Sequence, residues 1–206
     1  EKFYEQFGAV IKEGIYTDTN KRDKIAALAR YKTTRSEDKW ISLDDYVKRM
    51  QPDQKEIYYI TGDDLNALIN SPHLEQLKSK SYEVLLMADP VDEWAVQALT
   101  EFDGKPLKSA EKGELALDKV DEAQQEAFNA LFGFIKGQLE SKVKEVKASA
   151  RLTESVACLA GEEYDMSAYM EKLLKAAGQK PPEVKRVLEL NMAHPVMAQI
   201  KTLFEN

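Results

Sequence analysis

Two short apolar runs constrain the fold more than anything else in the 206-residue sequence. Ile57-Tyr58-Tyr59-Ile60 and Val84-Leu85-Leu86-Met87 have no polar residue at alternate positions, so each reads as a strand covered on both faces. Gly62 ends the first and Asp89-Pro90 the second. Between them Leu65, Leu68 and Ile69 recur at helical spacing, and Ser71-Pro72 opens another helix as N-cap and first residue. A helix with Trp94, Val96 and Leu99 follows the second run. Strand, helices, strand, helix is a βαβ unit with a right-handed crossover expected.

The flanking sequence has other periods. Before the first run, three short helices are expected. Phe3, Phe7, Val10, Ile11 and Ile15 share one face of the first, Asn20 caps the second, and Ser42 with Asp45 opens the third. Beyond Lys105 the chain turns polar. A long amphipathic helix with Phe128, Leu131, Phe132, Ile135 and Leu139 comes next. Alternation at Val143–Ala150 and Ser155–Ala160 predicts half-buried strands, and Val187–Leu190 predicts a third. A helix runs from Met166 to Ala177, and a last one carries Met197, Ile200 and Leu203. The expected fold class is α/β plus α+β. A helical connector occupies 1–52, a small α/β subdomain 53–107, a linker 108–120, and an α+β domain with an amphipathic projecting helix 121–206.

Composition excludes several function classes. A net charge of -7, with every Lys run interleaved with acids, argues against nucleic acid as a partner. No apolar run reaches the ~18–20 residues that cross a bilayer, and there is no signal-peptide core. Cys158 is the only cysteine, which suits a reducing cytoplasm. Two His and one Cys give no structural zinc site, and no Gly-x-Ser-x-Gly nucleophile turn occurs. The chain opens without Met inside a helical pattern, as expected of a piece of something longer.

Two clusters of candidate residues remain. Thr61-Gly62-Asp63-Asp64 and Asp89, Asp92 and Glu93 stand at strand ends, where small ligands bind in α/β folds. The first lacks both phosphate-binding glycine patterns, and its carboxylates would repel a phosphate, so a turn with an Asp cap is the plainer reading. Capping at the surface is likewise the plainer role for Asp89, Asp92 and Glu93. The second candidate is a stripe of Met166, Tyr169, Met170, Leu173 and Leu174 at i, i+3, i+4, i+7 and i+8. Such a stripe ordinarily packs as core. Its methionines and tyrosine also suit an adaptable surface for varied partners.

The order of segments resembles the heat shock protein 90 chaperone family. The residues that carry the resemblance are Glu1-Lys2-Phe3-Tyr4-Glu5-Gln6-Phe7, Leu28-Ala29-Arg30-Tyr31, Ser42 to Met50, Gln54 to Gly62, Asp89-Pro90-Val91-Asp92-Glu93 and Glu101-Phe102-Asp103-Gly104-Lys105. They run in register along essentially the whole chain. The stretches 166–179 and 189–191 are most similar to the bacterial members, and 107–120 lacks the long acidic insertion of the eukaryotic ones.

The resemblance implies the later part of a middle domain and the first part of a C-terminal domain of a cytoplasmic, ATP-dependent chaperone. It implies that the ATP and Mg site and the catalytic arginine lie upstream, leaving no cofactor and no enzymatic activity here. It places the helices that make the parent a homodimer downstream, so this stretch is expected to be monomeric. It implies that unfolded or partly folded client proteins contact Trp94, Met166, Tyr169, Met170, Leu173 and Leu174. Gln97 departs from the residue most bacterial relatives carry beside that tryptophan. The alternative is a small-ligand enzyme with its site at the strand ends near Gly62 and Asp89.

Overall fold

The computed structural model describes residues 2–37, 39–115, 117 and 120–206. Among the described residues the chain is mixed α/β, with two sheets. Two compact units form from interleaved stretches of sequence. Glu1–Asn70, Lys80–Ala110 and Ala168–Lys180 make the first, and Ser71–Ser79, Glu111–Ser167 and Pro181–Asn206 the second.

In the first unit, α1 (Lys2–Thr17), α2 (Arg22–Leu28), β1 (Arg30–Thr33), β2 (Ile41–Ser42) and α3 (Leu43–Arg49) precede β3 (Ile57–Thr61) and α4 (Leu65–Ile69). The second unit then takes the single turn Pro72–Leu74 and α5 (Glu75–Ser79). The first resumes with β4 (Val84–Met87), α6 (Asp92–Ala98), β5 (Glu101–Phe102) and β6 (Lys105–Ser109). The six strands lie in the order β2-β1-β4-β3-β6-β5. β3 runs parallel to both β4 and β6, with Tyr58 opposite Val84 and Ile57 opposite Leu107. Every residue of β3 and β4 is buried, as their unbroken apolar character predicts. Ile57, Tyr59, Leu85 and Met87 share a core with Ile15, Tyr31, Leu43, Tyr46, Ala95 and Leu99 from β1 and the helices.

Local chemistry sets the helix starts. Ser42 Oγ accepts the Asp45 N–H at 3.0 Å, capping α3, and donates to Asp45 Oδ2 at 2.7 Å. Asp64 Oδ1 accepts the Ala67 N–H at 2.7 Å and caps α4. Ser71 Oγ accepts the His73 N–H at the turn that Pro72 opens.

Several expectations are corrected. The first fifty residues are not purely helical: β1 and β2 extend the same sheet, and β1 pairs antiparallel with β4. Only Tyr31 and Thr33 point inward from β1, too weak an alternation to stand out in sequence. The buried face of α1 is Tyr4, Gly8, Lys12 and Ile15, while Phe3, Phe7 and Val10 are at least half exposed. Gly8 admits the Tyr4 ring where a Cβ would meet it at 2.7 Å, and Lys12 is neutralised in place. Lys21, not Asn20, precedes α2, without a side-chain cap. The stretch expected as a linker over 108–120 begins inside β6, and Ala116, Asp118 and Lys119 lie outside the described residues, as does Glu1.

The second unit continues with α7 (Glu122–Glu126), α8 (Asn129–Gln138), β7 (Val143–Ala148) and β8 (Ala157–Ala160). After α9 (Ala168–Ala176), which belongs to the first unit, come β9 (Arg186–Leu190) and α10 (Pro195–Glu205). Its strands order as β7-β9-β8, with β9 parallel to β7 and antiparallel to β8. Phe128, Leu131, Phe132, Val143, Val146, Leu190 and Met197 form its core. The long amphipathic helix expected here is two helices, α7 capped by Asp121 and α8 beginning after Phe128.

Candidate functional site

The first unit gathers charge at the C-terminal ends of β3 and β4. The Gly62 N–H donates to the Met87 carbonyl at 3.2 Å, prolonging the strand pairing by one residue. A Cβ on Gly62 would stand 2.7 Å from the end of the Leu68 side chain, which would have to move aside. The turn places Asp63 at the surface and Asp64 on its cap.

Asp92 and Glu93 are both buried, and capping at the surface is therefore wrong for these two. The ammonium of Lys12, 2% exposed, lies 2.9 Å from Asp92 Oδ1 and donates to Asp89 Oδ2 at 2.7 Å. It also stands 4.6 Å from the centre of the Tyr31 ring. Burial pulls Lys12 down, but Asp92 and Asp89 together outweigh it, and its pKa lies above the ordinary lysine value. Burial pushes the Asp92 carboxyl up to about 6 against the pull of Lys12. The group is an internal ion pair tying α1 to α6. It leaves no open carboxylate pair for acid–base work at the site of the enzymatic alternative.

Lys12 was not identified from the sequence. The available signal was its place four residues from Gly8 and eight from Tyr4, on the face opposite the phenylalanines.

α9 brings the apolar stripe into the same unit. Lys172 donates to and pairs with Asp63, whose carboxyl that hydrogen bond lowers. Tyr169 and Met170 are each 7% exposed, so these two are not the open side chains the stripe led us to expect. Burial raises the Tyr169 hydroxyl pKa, and the charges of Asp63, Asp92, Glu93 and Asp89 add to it. Leu173 and Leu174 are half-buried. Met166, also half-buried, precedes α9 and belongs to the second unit. Trp94 is half-buried on α6, directly after Asp92 and Glu93, and Gln97 Nε2 one turn on donates to the Glu93 carbonyl at 2.9 Å. Gly178, at φ +76°, ends the helix, with the Gln179 N–H donating to the Leu174 carbonyl at 2.9 Å.

Buried polar groups of the second unit serve structure. Arg151 Nε and Nη2 donate to Glu189 Oε2 and Oε1 at 2.8 and 3.1 Å, and Nη2 also donates to the Gly113 carbonyl at 2.6 Å. They line a cavity of about 310 Å³ with Glu114, Leu117 and Lys147. Burial pulls His73 down to about 4 and pushes the Cys158 thiol up to about 12, so neither is a ready base or nucleophile at neutral pH. Among the described residues no group of three or more His, Cys, Asp or Glu is placed to hold a metal ion. No described helix is long and apolar enough to cross a membrane.

Comparison with known proteins agrees with the order of motifs. The family model for Hsp90 protein matches residues 1–206. Chaperone protein HtpG of Geobacter metallireducens is 45% identical over 98% of this chain and 33% of its own length. Chaperone protein HtpG of Alkalilimnicola ehrlichii is 47% identical over 98% and 32%. The chain thus spans about a third of the length of the curated relatives it matches. Among solved structures, the middle domain of a Plasmodium falciparum heat shock protein superposes with a TM-score of 0.51 at 37% identity, covering 53% of this chain and 46% of that one.

Proposed function

The chain belongs to the heat shock protein 90 family, and on that footing we propose that it holds client proteins. Unfolded or partly folded chains would settle on Trp94 of α6 and on Met166, Tyr169, Met170, Leu173 and Leu174 in and before α9. The observation that supports this best is the membership of α9. Its neighbours on both sides along the chain belong to the second unit, yet it packs in the first, which also holds Trp94. Its stripe is only partly covered, since Leu173 and Leu174 keep accessible surface.

Full burial of one such side chain is worth about 1.5–3 kcal/mol. Several partly buried ones, offset by ordering and association costs, give roughly micromolar affinity. Weak binding of that kind suits a surface that must release what it holds. The remaining features belong to the same proposal. This stretch is a monomer without enzymatic activity; the whole protein is a cytoplasmic homodimer that uses ATP and Mg bound outside residues 1–206.

Fluorescence anisotropy of a labelled, permanently unfolded model protein tests the reading. Trp94→Ala and Leu173→Asp should each weaken binding several-fold while circular dichroism stays unchanged. Unaltered affinity in both variants would remove the client-holding assignment.

A further inference from the structure

We propose that the outer edge of β8 in the second unit is a slot that takes up extended apolar segments of client proteins as an added strand. The proposal rests on the client-holding reading and deepens it by naming the form in which a client is held. β8 stands at the end of the order β7-β9-β8, so one of its edges has no partner within the sheet. Val156 accepts the Asn191 N–H at 2.9 Å. In an antiparallel pair such bonding falls on alternate residues, so Cys158 and Ala160 also turn to β9. Ala157 and Leu159 therefore turn their N–H and C=O groups outward. Gly161, next in that alternation, points the same way. Its N–H donates to the Glu111 carbonyl at 3.0 Å, and its carbonyl accepts the Gly113 N–H at 2.9 Å.

The other end is closed as well, since the Ser155 N–H donates to the Glu75 carboxylate at 3.1 Å. Between these ends lie two donors and two acceptors at the spacing of extended backbone. A helix cannot fill such a slot, because its own backbone groups are already paired. The side chains fit the same guest. Strand edges are ordinarily guarded by brevity, charge or proline. β2 and β5 are two residues long, and β7 carries Lys144, Glu145 and Lys147. β8 reads Ala157-Cys158-Leu159-Ala160, with Leu159 53% exposed opposite the half-buried Leu188. An apolar guest residue covers Leu159. Glu154, exposed beside Glu75 at the Ser155 end, favours a basic residue next to it. The occupant is thus an extended apolar stretch flanked by lysine or arginine, a segment that folded proteins ordinarily bury.

A fluorescein-labelled peptide Lys-Lys-Thr-Val-Ile-Val-Thr, titrated into the intact 206-residue chain, tests the slot. The same peptide N-methylated at Val, Ile and Val keeps its side chains but loses its donors, and should bind at least tenfold more weakly. In the free chain the Leu159 amide should exchange at least tenfold faster than those of Cys158 and Ala160, and saturating peptide should slow it about tenfold. Leu159→Pro removes the outward donor without touching a bond to β9, and should weaken the peptide about tenfold. Leu159→Lys, a surface change that leaves the strand paired, should weaken it about fivefold. Equal binding of the methylated peptide overturns the proposal, as does a Leu159 amide protected in the free chain or a Leu159→Lys change without effect. A concentration-dependent dimer abolished by Leu159→Lys also overturns it, assigning the edge to a second copy. The unfolded model protein is titrated in parallel. If the peptide needs Leu159 but the model protein ignores Trp94 and Leu173, the slot stands and the earlier reading of those side chains falls. If the model protein needs Trp94 but the peptide ignores Leu159, the reverse holds.

Discussion

Replacing Lys12 by Met should destabilise the first unit by about 3–5 kcal/mol, the usual cost of removing one partner from a buried ion pair. The structure explains why this lysine cannot be exchanged for an apolar residue of the same length. At the 2.9 Å separation from Asp92, Coulomb attraction is about 6 kcal/mol with an effective dielectric constant near 20. Desolvation of both ions offsets much of that in the wild type. Methionine removes the attraction and the Lys12 hydrogen bond to Asp92 Oδ2, and leaves the Asp92 desolvation in place. Asp89 suffers less, because its side chain is 40% exposed and water takes over.

Urea melts at pH 8 and pH 5 measure the effect, and the sign of the pH dependence is fixed. Asp92 has a folded pKa of about 6, above its unfolded value of ~3.9. The folded chain therefore binds more protons between those values, and this group removes stability as pH rises through that window. Without Lys12, which lowers it, the Asp92 pKa climbs further. The deficit of Lys12→Met should thus be largest at pH 8 and shrink towards pH 5, and adding Asp92→Asn should recover part of it. A deficit under about 0.5 kcal/mol at pH 8, or one that grows on acidification, would refute the assignment.

Further outcomes are expected elsewhere. His73 titrates at about 4 in the folded chain against ~6.5 unfolded, so its stability contribution is present above pH ~6.5 and lost as pH falls towards 4; His73→Leu should flatten that acid limb in urea midpoints measured across it. Met170→Asp should expose α9, seen as faster amide exchange along the helix, because it sets an unpaired carboxylate at a site 7% exposed. Leu173→Asp, at a half-buried position, should change overall stability by no more than about 1 kcal/mol in the same melts. Nucleotide with Mg²⁺ should neither shift the melting temperature of the chain nor be hydrolysed by it; a saturable shift abolished by Asp63→Ala would revive the strand-end alternative.

What the sequence disclosed was local. The continuous runs at β3 and β4 announced two-sided burial, Ser42 with Asp45 and Asp64 announced caps, and the alternation near Val143 and Val187 announced half-buried strands. Each depends on residues within a few positions of one another. The misread features depend on partners far along the chain. On α1 two faces were available, and the one with phenylalanines carried more apolar weight. The choice fell to the other because Asp89 and Asp92, about eighty positions away, accept a lysine there. The α9 stripe was visible as a periodicity, but periodicity is silent on what the stripe faces. Asp63 answers that from a turn that reads as ordinary capping sequence. β1 was missed because a strand inside a mixed sheet needs few apolar residues when its neighbour supplies the rest.

The carboxylate of Glu75 accepts the backbone N–H groups of Thr153, Glu154 and Ser155, closing a contact across 80 residues. Its helix is spliced into the connection between β3 and β4. A cut at the border between Ala110 and Glu111 consequently yields no clean pair of halves: the upstream piece keeps a helix it does not use, and the downstream piece loses the residue that organises three of its amides. Order of synthesis follows the same geometry. Glu75 leaves the ribosome well before its partners, so it waits in water until Ser155 arrives, and closing so long a loop is slow. The later unit thus completes itself around a part already delivered with the earlier one.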